Sequence, residues 1–219
     1  MTNAARSNEA TPQPQLNALF ETFGTRCCYD RGGEIMRFDA EQPSLFLLVE
    51  GTAALQLTDQ DQGTELNVTH LVPGSIFGSL EPGQAQRNRI GMHIFAKAPS
   101  TVYLLREAQL AEAIAADPQA MFAVFSELSR TSMRSLLKVG QFAFFDVRGR
   151  VSSVLAELCE LPGATPHPEG YVVKNTCKEI ASMAGCTREM VGRVIKELAT
   201  AGYLKKMSGR QLLIHTSST

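Results

Sequence analysis

TCKEIASMAGCTREMVGRVIKEL, residues 176–198, carries two sets of helix punctuation back to back. Thr176 is followed three residues on by Glu179, the pair of a capping box. The threonine hydroxyl accepts from the Glu179 N–H, and the glutamate reaches back to the N–H of Thr176. Ile180, Met183 and Ala184 then recur at helical spacing, and Gly185 can take the left-handed conformation that ends a helix and turns the chain. Thr187 is placed to cap a second helix. In that helix Val191, Val194, Ile195 and Leu198 form the apolar stripe, which leaves Arg188, Glu189, Gly192, Arg193 and Lys196 on the other side.

Two short helices joined by a glycine turn, with such a row on the second, predict a helix-turn-helix presenting a DNA-reading surface. An arginine there can pair bidentately with guanine, and a glutamate can accept from cytosine N4. Gly192 costs roughly 1 kcal/mol against alanine inside a helix. It therefore points to close backbone approach, either to DNA or to the first helix, or to packing alone. Taken by periodicity only, an ordinary helical hairpin with solvated charges fits equally well.

Charge and length bear on that choice. The 219 residues exceed one typical domain and suffice for a sizeable core. The net charge of −1 conceals an asymmetry: residues 1–145 hold 11 Lys+Arg against 15 Asp+Glu, and residues 146–219 hold 10 against 7. The basic excess accompanies the helix-turn-helix, as phosphate contact requires. No apolar run approaches the length needed to span a bilayer, and the polar opening MTNAARSNEATPQPQ has no signal-peptide core. We expect a cytoplasmic protein with a mobile tail at 1–15 and no membrane partner. Cysteines 27, 28, 159, 177 and 186 are odd in number with no CxxC pair, so reduced thiols are expected rather than disulfides or a zinc finger.

From Glu34 to Leu105 the pattern changes to short strands. Leu45 to Val49 is a continuous apolar run suited to a strand buried on both faces. Leu55/Leu57, Leu66/Val68, Met92/Ile94/Ala96 and Val102/Leu104 alternate, with Pro73-Gly74 and Pro82-Gly83 as turns. Many short strands predict a sandwich or small jelly roll. A jelly roll can house a metal enzyme, but His70, His93, His167 and His215 are scattered without an HxH pair. No P-loop or nucleophile motif is present. Neither a metal site nor catalysis is expected.

Pro118 to Phe145 reads as one long helix. Phe125, Leu128, Ser132, Ser135, Val139 and Phe142 recur in steps of three and four, the spacing of a coiled-coil seam and hence of a homodimer. A helix packed on its own sandwich is the alternative. Asp146 is a natural cap for the next helix, whose stripe is Val147, Val151, Val154, Leu155, Leu158 and Leu161, and Pro162-Gly163 stops it. Strand-like segments flank the helix-turn-helix at 170–173 and 203–215. The latter contains Ser208-Gly209 as a hairpin tip, or wing.

The run GCTREMVGR, residues 185–193, resembles the start of the recognition helix in the cyclic-AMP receptor protein (CRP/FNR) family of bacterial transcription regulators. SLFLLVEGTAAL followed by LVPGSIFGSL resembles that family's cyclic-nucleotide-binding domain, and FAFFDVRGR, residues 142–150, resembles its hinge. The resemblance implies an α+β chain with a β jelly-roll effector domain at 16–117, a dimerisation helix and hinge at 118–145, and a winged helix-turn-helix at 146–219. It implies a homodimeric regulator, not an enzyme, bound to double-stranded DNA at a palindromic operator with TGTGA-like half-sites, and to RNA polymerase if it activates. Arg188 and Arg193 are then expected on guanines and Glu189 on a cytosine. Thr187 and Lys196 are expected at the backbone, with Thr176 also among the DNA-binding residues.

At the effector site the sequence departs from the family pattern. Cyclic-AMP binders carry FGE and, about ten residues on, R-S/T-A, for the ribose and the cyclic phosphate. Here FGS (Phe77, Gly78, Ser79) replaces FGE, and RNRIG supplies Arg87 or Arg89. Ser135-Leu136 stands where two adjacent hydroxyl residues are usual. Gly78, Ser79, Arg87, Arg89 and Ser135 are the candidate effector residues. The effector is expected to be a cyclic nucleotide or another small anion, ordinary cyclic AMP being the weaker candidate, with activity without a ligand as the alternative. An iron–sulfur sensor lacks the required cysteine cluster.

Overall fold

The computed structural model describes residues 14–38, 42–80 and 90–215, in two compact units divided between Lys138 and Val139. The first unit begins with helix α1 (Pro14–Phe23) and continues with strands β1 (Thr25–Tyr29), β2 (Glu34–Arg37), β3 (Ser44–Glu50), β4 (Ala53–Asp59), β5 (Glu65–Leu71), β6 (Ile76–Ser79), β7 (Ile90–Ala96) and β8 (Ser100–Arg106). Helices α2 (Glu107–Ala116) and α3 (Ala120–Phe144) follow. The strands form two antiparallel sheets, ordered β1-β8-β3-β6 and β2-β7-β4-β5. The α+β class and the β sandwich expected from the sequence are thus present.

Strand β3 is central in its sheet and buried on both faces through Leu45–Leu48, as its unbroken apolar run predicts. Its partner β6 comes so close that a Cβ on Gly78 would lie 2.2 Å from the Ser44 carbonyl oxygen, and Gly78 has φ 135°. Only glycine fits there. Phe46 and Phe77 stack across this pair with ring centroids 5.3 Å apart.

Four expectations need correction. Pro14 and Gln15 belong to α1, not to a tail, because Leu16, Leu19 and Phe20 bury the helix against Leu45, Leu47 and Ile76. In β4 the alternation breaks at a register shift between Leu55 and Gln56, so Gln56 is buried and Leu57 only half-buried. The long helix starts at Ala120 rather than Pro118, since Asp117 accepts from the N–H groups of Gln119 and Ala120 at 3.0 and 3.3 Å. The expected seam is divided: Leu128 packs on the core of its own unit and Ser135 bonds to Thr69, whereas Phe125 and Val139 of that seam stand exposed together with Phe122, Met133, Leu136 and Leu137. The turn Pro82-Gly83 lies outside the described residues.

In the second unit, helix α4 (Val147–Glu160) is followed by β9 (Thr165–His167), β10 (Gly170–Lys174), α5 (Cys177–Ala184), α6 (Arg188–Thr200), β11 (Leu204–Lys206) and β12 (Gln211–His215). The strands form one antiparallel sheet, β11-β12-β10-β9. Asp146 caps α4, its carboxylate accepting from the Gly149 N–H at 2.7 Å. Val151, Val154, Leu155 and Leu158 meet Ile180, Val191, Ile195 and Leu212 in one core. Each such side chain contributes roughly 1.5–3 kcal/mol by its burial. That core holds the helix pair in place.

Candidate functional site

Helix α5 begins as the capping box requires. The Glu179 N–H donates to Thr176 Oγ1 at 3.1 Å, and the Thr176 N–H donates to Glu179 Oε2 at 2.7 Å. Thr176 is thereby engaged in the cap itself, with its hydroxyl also donating to the same carboxylate at 3.0 Å. Gly185 closes the helix at φ 57°, ψ 49°, in the left-handed region. Thr187 then caps α6 by accepting from the Met190 N–H at 3.3 Å.

Val191, Val194, Ile195 and Leu198 are all buried, so the opposite side of α6 is turned outward with Arg188, Glu189, Arg193 and Lys196 exposed along it. The Glu189 carboxyl is held below its usual range by a backbone N–H and by the Thr187 side chain, with Arg188 adding to the effect. It therefore presents an acceptor-only group between cationic neighbours. Around Gly192 there is open space: a Cβ there would meet nothing within 4 Å. The first helix does not require this glycine, which removes one of the sequence-based explanations.

The hairpin between β11 and β12 carries the turn at Ser208-Gly209, with Gly209 at φ 69° and the Met207 N–H donating to the Gln211 carbonyl at 3.0 Å. Lys205, Lys206 and Arg210 are exposed on it. None of the three was singled out from the sequence, because a basic residue gains its meaning here only from the hairpin that carries it.

A side chain invisible as a signal in the sequence ties the helix pair to the start of α4. Arg150 donates to the carbonyls of Ala184, Gly185 and Phe145, at 2.8, 3.4 and 3.1 Å, and its guanidinium lies 5.9 Å from the centre of the Phe142 ring. It satisfies the orphan carbonyls at the end of α5, where a positive charge also complements the helix dipole.

The first unit holds a cavity of about 290 Å³ between the sandwich and α3. Leu55, Leu71, Phe77, Ile94 and Leu128 give it an apolar wall, and Thr69, Thr131, Ser132 and Ser135 set hydroxyls along it. Thr69 and Ser135 hydrogen-bond across it, oxygen to oxygen 3.0 Å. Of the candidate effector residues, Gly78 and Ser135 line this cavity. Ser79 follows Gly78 at the end of β6, outside the lining, while Arg87 and Arg89 lie outside the described residues. A cavity of this size and composition suits a small ligand with a few polar groups. Among the described residues no helix is long and apolar enough to cross a membrane.

Residues 149–217 match the Crp-like helix-turn-helix domain family. The cAMP-activated global transcriptional regulator Vfr of Pseudomonas aeruginosa is 33% identical over 174 residues, 78% of this chain and 80% of that protein. The cAMP-activated global transcriptional regulator CRP of Pasteurella multocida is 28% identical over 208 residues, 92% of this chain and 97% of that one. Among solved structures, the c-di-GMP-responsive global regulator CLP of Xanthomonas campestris superposes with a TM-score of 0.76 at 22% identity, covering 93% of this chain and 100% of its own, which shows the shared fold. These relatives are transcription regulators and not enzymes, and the helix-turn-helix that they share is a DNA-binding domain. The chain belongs to the CRP/FNR family of transcription regulators.

Proposed function

We propose that this regulator acts as a homodimer on a palindromic operator with TGTGA-like half-sites, and that a small effector other than ordinary cyclic AMP, seated in the sandwich cavity, sets its DNA affinity. The observation that carries the DNA reading is the exposed row Arg188, Glu189, Arg193 and Lys196, held rigidly by two capped helix ends. In this reading Arg188 and Arg193 take guanines, Glu189 takes a cytosine, and Lys196 and Thr187 take phosphates. Thr176 acts by fixing α5, and the exposed Lys205, Lys206 and Arg210 of the wing add phosphate contacts.

The apolar exposed side chains of α3 support pairing with a second copy, because so many large hydrophobics on one helix are otherwise left in water. The effector reading is supported by the cavity and by the Thr69–Ser135 hydrogen bond that a ligand there would compete with. A ligand shifts the dimer toward its DNA-competent state only through different affinity for the two states. Cyclic AMP is disfavoured because Ser79 brings no carboxylate to a ribose.

The 33% identity to cAMP-activated Vfr favours the second reading, activation by cyclic AMP. Fluorescence anisotropy of a labelled TGTGA palindrome, titrated with and without saturating cyclic AMP, separates the two. We expect binding to be sequence-specific and unchanged by cyclic AMP. A tenfold or larger gain with cyclic AMP, on the order of 1.4 kcal/mol, establishes the second reading.

A further inference from the structure

Helix α6 starts clear of the rest of its unit. Thr187, Arg188, Glu189 and Met190 are all exposed, and Val191, fully buried, is the first residue of the helix to meet the core. Successive residues of an α-helix lie about 100° apart, so four in a row reach most of the way round the axis. The opening turn is thus bare on nearly every side. Met190 is its one apolar member, 39% exposed. Among the described residues the core of the unit takes Val191, Val194, Ile195 and Leu198 from α6, with Cys186 and Ala199 packed at its edge, and not Met190. The Met190 N–H serves the helix cap, donating to Thr187 Oγ1 at 3.3 Å, but its side chain has no part in that bond.

When α6 lies in a major groove, its first turn goes deepest, because the N-terminal residues of a recognition helix meet the base edges. The groove is about 12 Å wide and a helix with its side chains roughly 10–12 Å across, so the flank of that turn loses water along with its front. In a helix a long side chain points back toward the N-terminus, which lays Met190 over this same turn. A thioether is no donor and a poor acceptor, so the N–H and carbonyl groups of the bases do not suit it. The apolar group that unmodified base pairs present in the major groove is the C5-methyl of thymine. An unbranched, polarisable side chain adapts readily to such a partner. We infer that Met190 is a specificity-determining residue, its side chain packing on the C5-methyl group of a thymine in the half-site. This rests on the proposal that α6 reads operator DNA, and it adds a preference for thymine to the hydrogen bonds of Arg188, Glu189 and Arg193.

The test uses the full-length protein and the duplex that it selects from a random-sequence pool at low salt, with fluorescence anisotropy as the readout. Each thymine of one half-site is replaced in turn by deoxyuridine, which removes the C5-methyl and nothing else. At one thymine the wild-type protein should lose about fourfold in affinity, the worth of one buried methyl group. Met190→Ala should bind the thymine duplex about fourfold more weakly or worse, and should bind thymine and deoxyuridine duplexes within about 1.5-fold of each other, since the coupled partner is gone. Met190→Leu should keep the discrimination, and Met190→Gln, equal in length but polar, should lose it. A methionine that merely shapes the helix would weaken both duplexes alike and leave their ratio unchanged. Wild-type affinity that no deoxyuridine alters, or discrimination that survives Met190→Ala at every position, overturns the inference while the DNA reading stands. If no sequence is enriched from the pool, the DNA reading falls and the inference with it.

Discussion

Arg150 holds the end of the first helix of the helix-turn-helix, its Nε donating to the Ala184 carbonyl oxygen at 2.8 Å. The same guanidinium donates to the Phe145 carbonyl between α3 and α4, so one side chain joins that connection to the turn between α5 and α6.

Replacing it should loosen that turn. Arg150→Leu keeps aliphatic bulk but leaves the Ala184 and Gly185 carbonyls unpaired, and we expect a loss of about 1–3 kcal/mol in urea unfolding of the DNA-binding unit. Operator affinity should fall as well, by anisotropy. A variant as stable as the wild type would show that water replaces the guanidinium without cost.

Gly192 separates stability from binding. Because a Cβ there meets nothing within 4 Å, Gly192→Ala should stabilise the free protein by about 0.5–1 kcal/mol through helix propensity. The same methyl group should weaken operator binding if the recognition helix backbone approaches DNA closely. Stabilisation with undiminished affinity in paired melts and titrations would place Gly192 away from the DNA.

Arg188 and Lys196 should behave differently on the same helix. Arg188→Ala is expected to cost about 1–3 kcal/mol on the cognate site and to relax preference at one base pair. Lys196→Ala should weaken all sequences alike and lower the slope of log affinity against log salt by about one unit. A uniform loss for Arg188→Ala would assign it to phosphate.

The exposed face of α3 predicts the assembly. Leu136 is 63% exposed and Phe125 61%, so sedimentation of the wild-type protein should give a dimer and Leu136→Glu a monomer with weakened operator binding. Because Leu128 and Ser135 face their own sandwich, their substitution should alter ligand response rather than assembly. A dimer that survives Leu136→Glu would remove α3 from the interface. In a dimer the recognition helices should fit half-sites about 34 Å apart.

The thiols should titrate unequally. Burial, with Glu160 adding to it, pushes the Cys159 thiol up from 9.0 to about 11. The fold therefore favours the neutral thiol: its contribution is fully present below about pH 9 and is lost as the pH rises toward 11. Urea melts at pH 8 and pH 10 should show a larger drop for wild type than for Cys159→Ala. Iodoacetamide at pH 8 should label exposed Cys28 well before Cys159 by mass spectrometry. Early labelling of Cys159 would contradict its burial.

How far the sequence reached depended on the range of each signal. Thr176 with Glu179, Gly185, Thr187 and Asp146 are all cap or turn residues whose partners lie within four positions, so the helix-turn-helix and the start of α4 were legible residue by residue. The apolar run of β3 announced a doubly buried strand for the same local reason. Helix α1 and the three-residue β9 lacked such a signal and went unread.

What joins residues distant along the chain was decided only by the fold. Thr69 and Ser135 meet across 66 residues, Gly78 is required by the approach of Ser44, and Arg150 finds Ala184 on another helix. Periodicity identified α3 as a long helix but could not say which apolar stripe faces its own sandwich, since both stripes recur at steps of three and four. It also gave no hint that Glu127 and Lys138 are buried, because a charge in a helical pattern is ordinarily solvated. The sequence by itself therefore determined the helix-turn-helix, the sandwich and the family resemblance, through local caps, turns and periodicity. The cavity and the Thr69–Ser135 contact across it were decided by tertiary packing, which alone brings a sheet and a helix together.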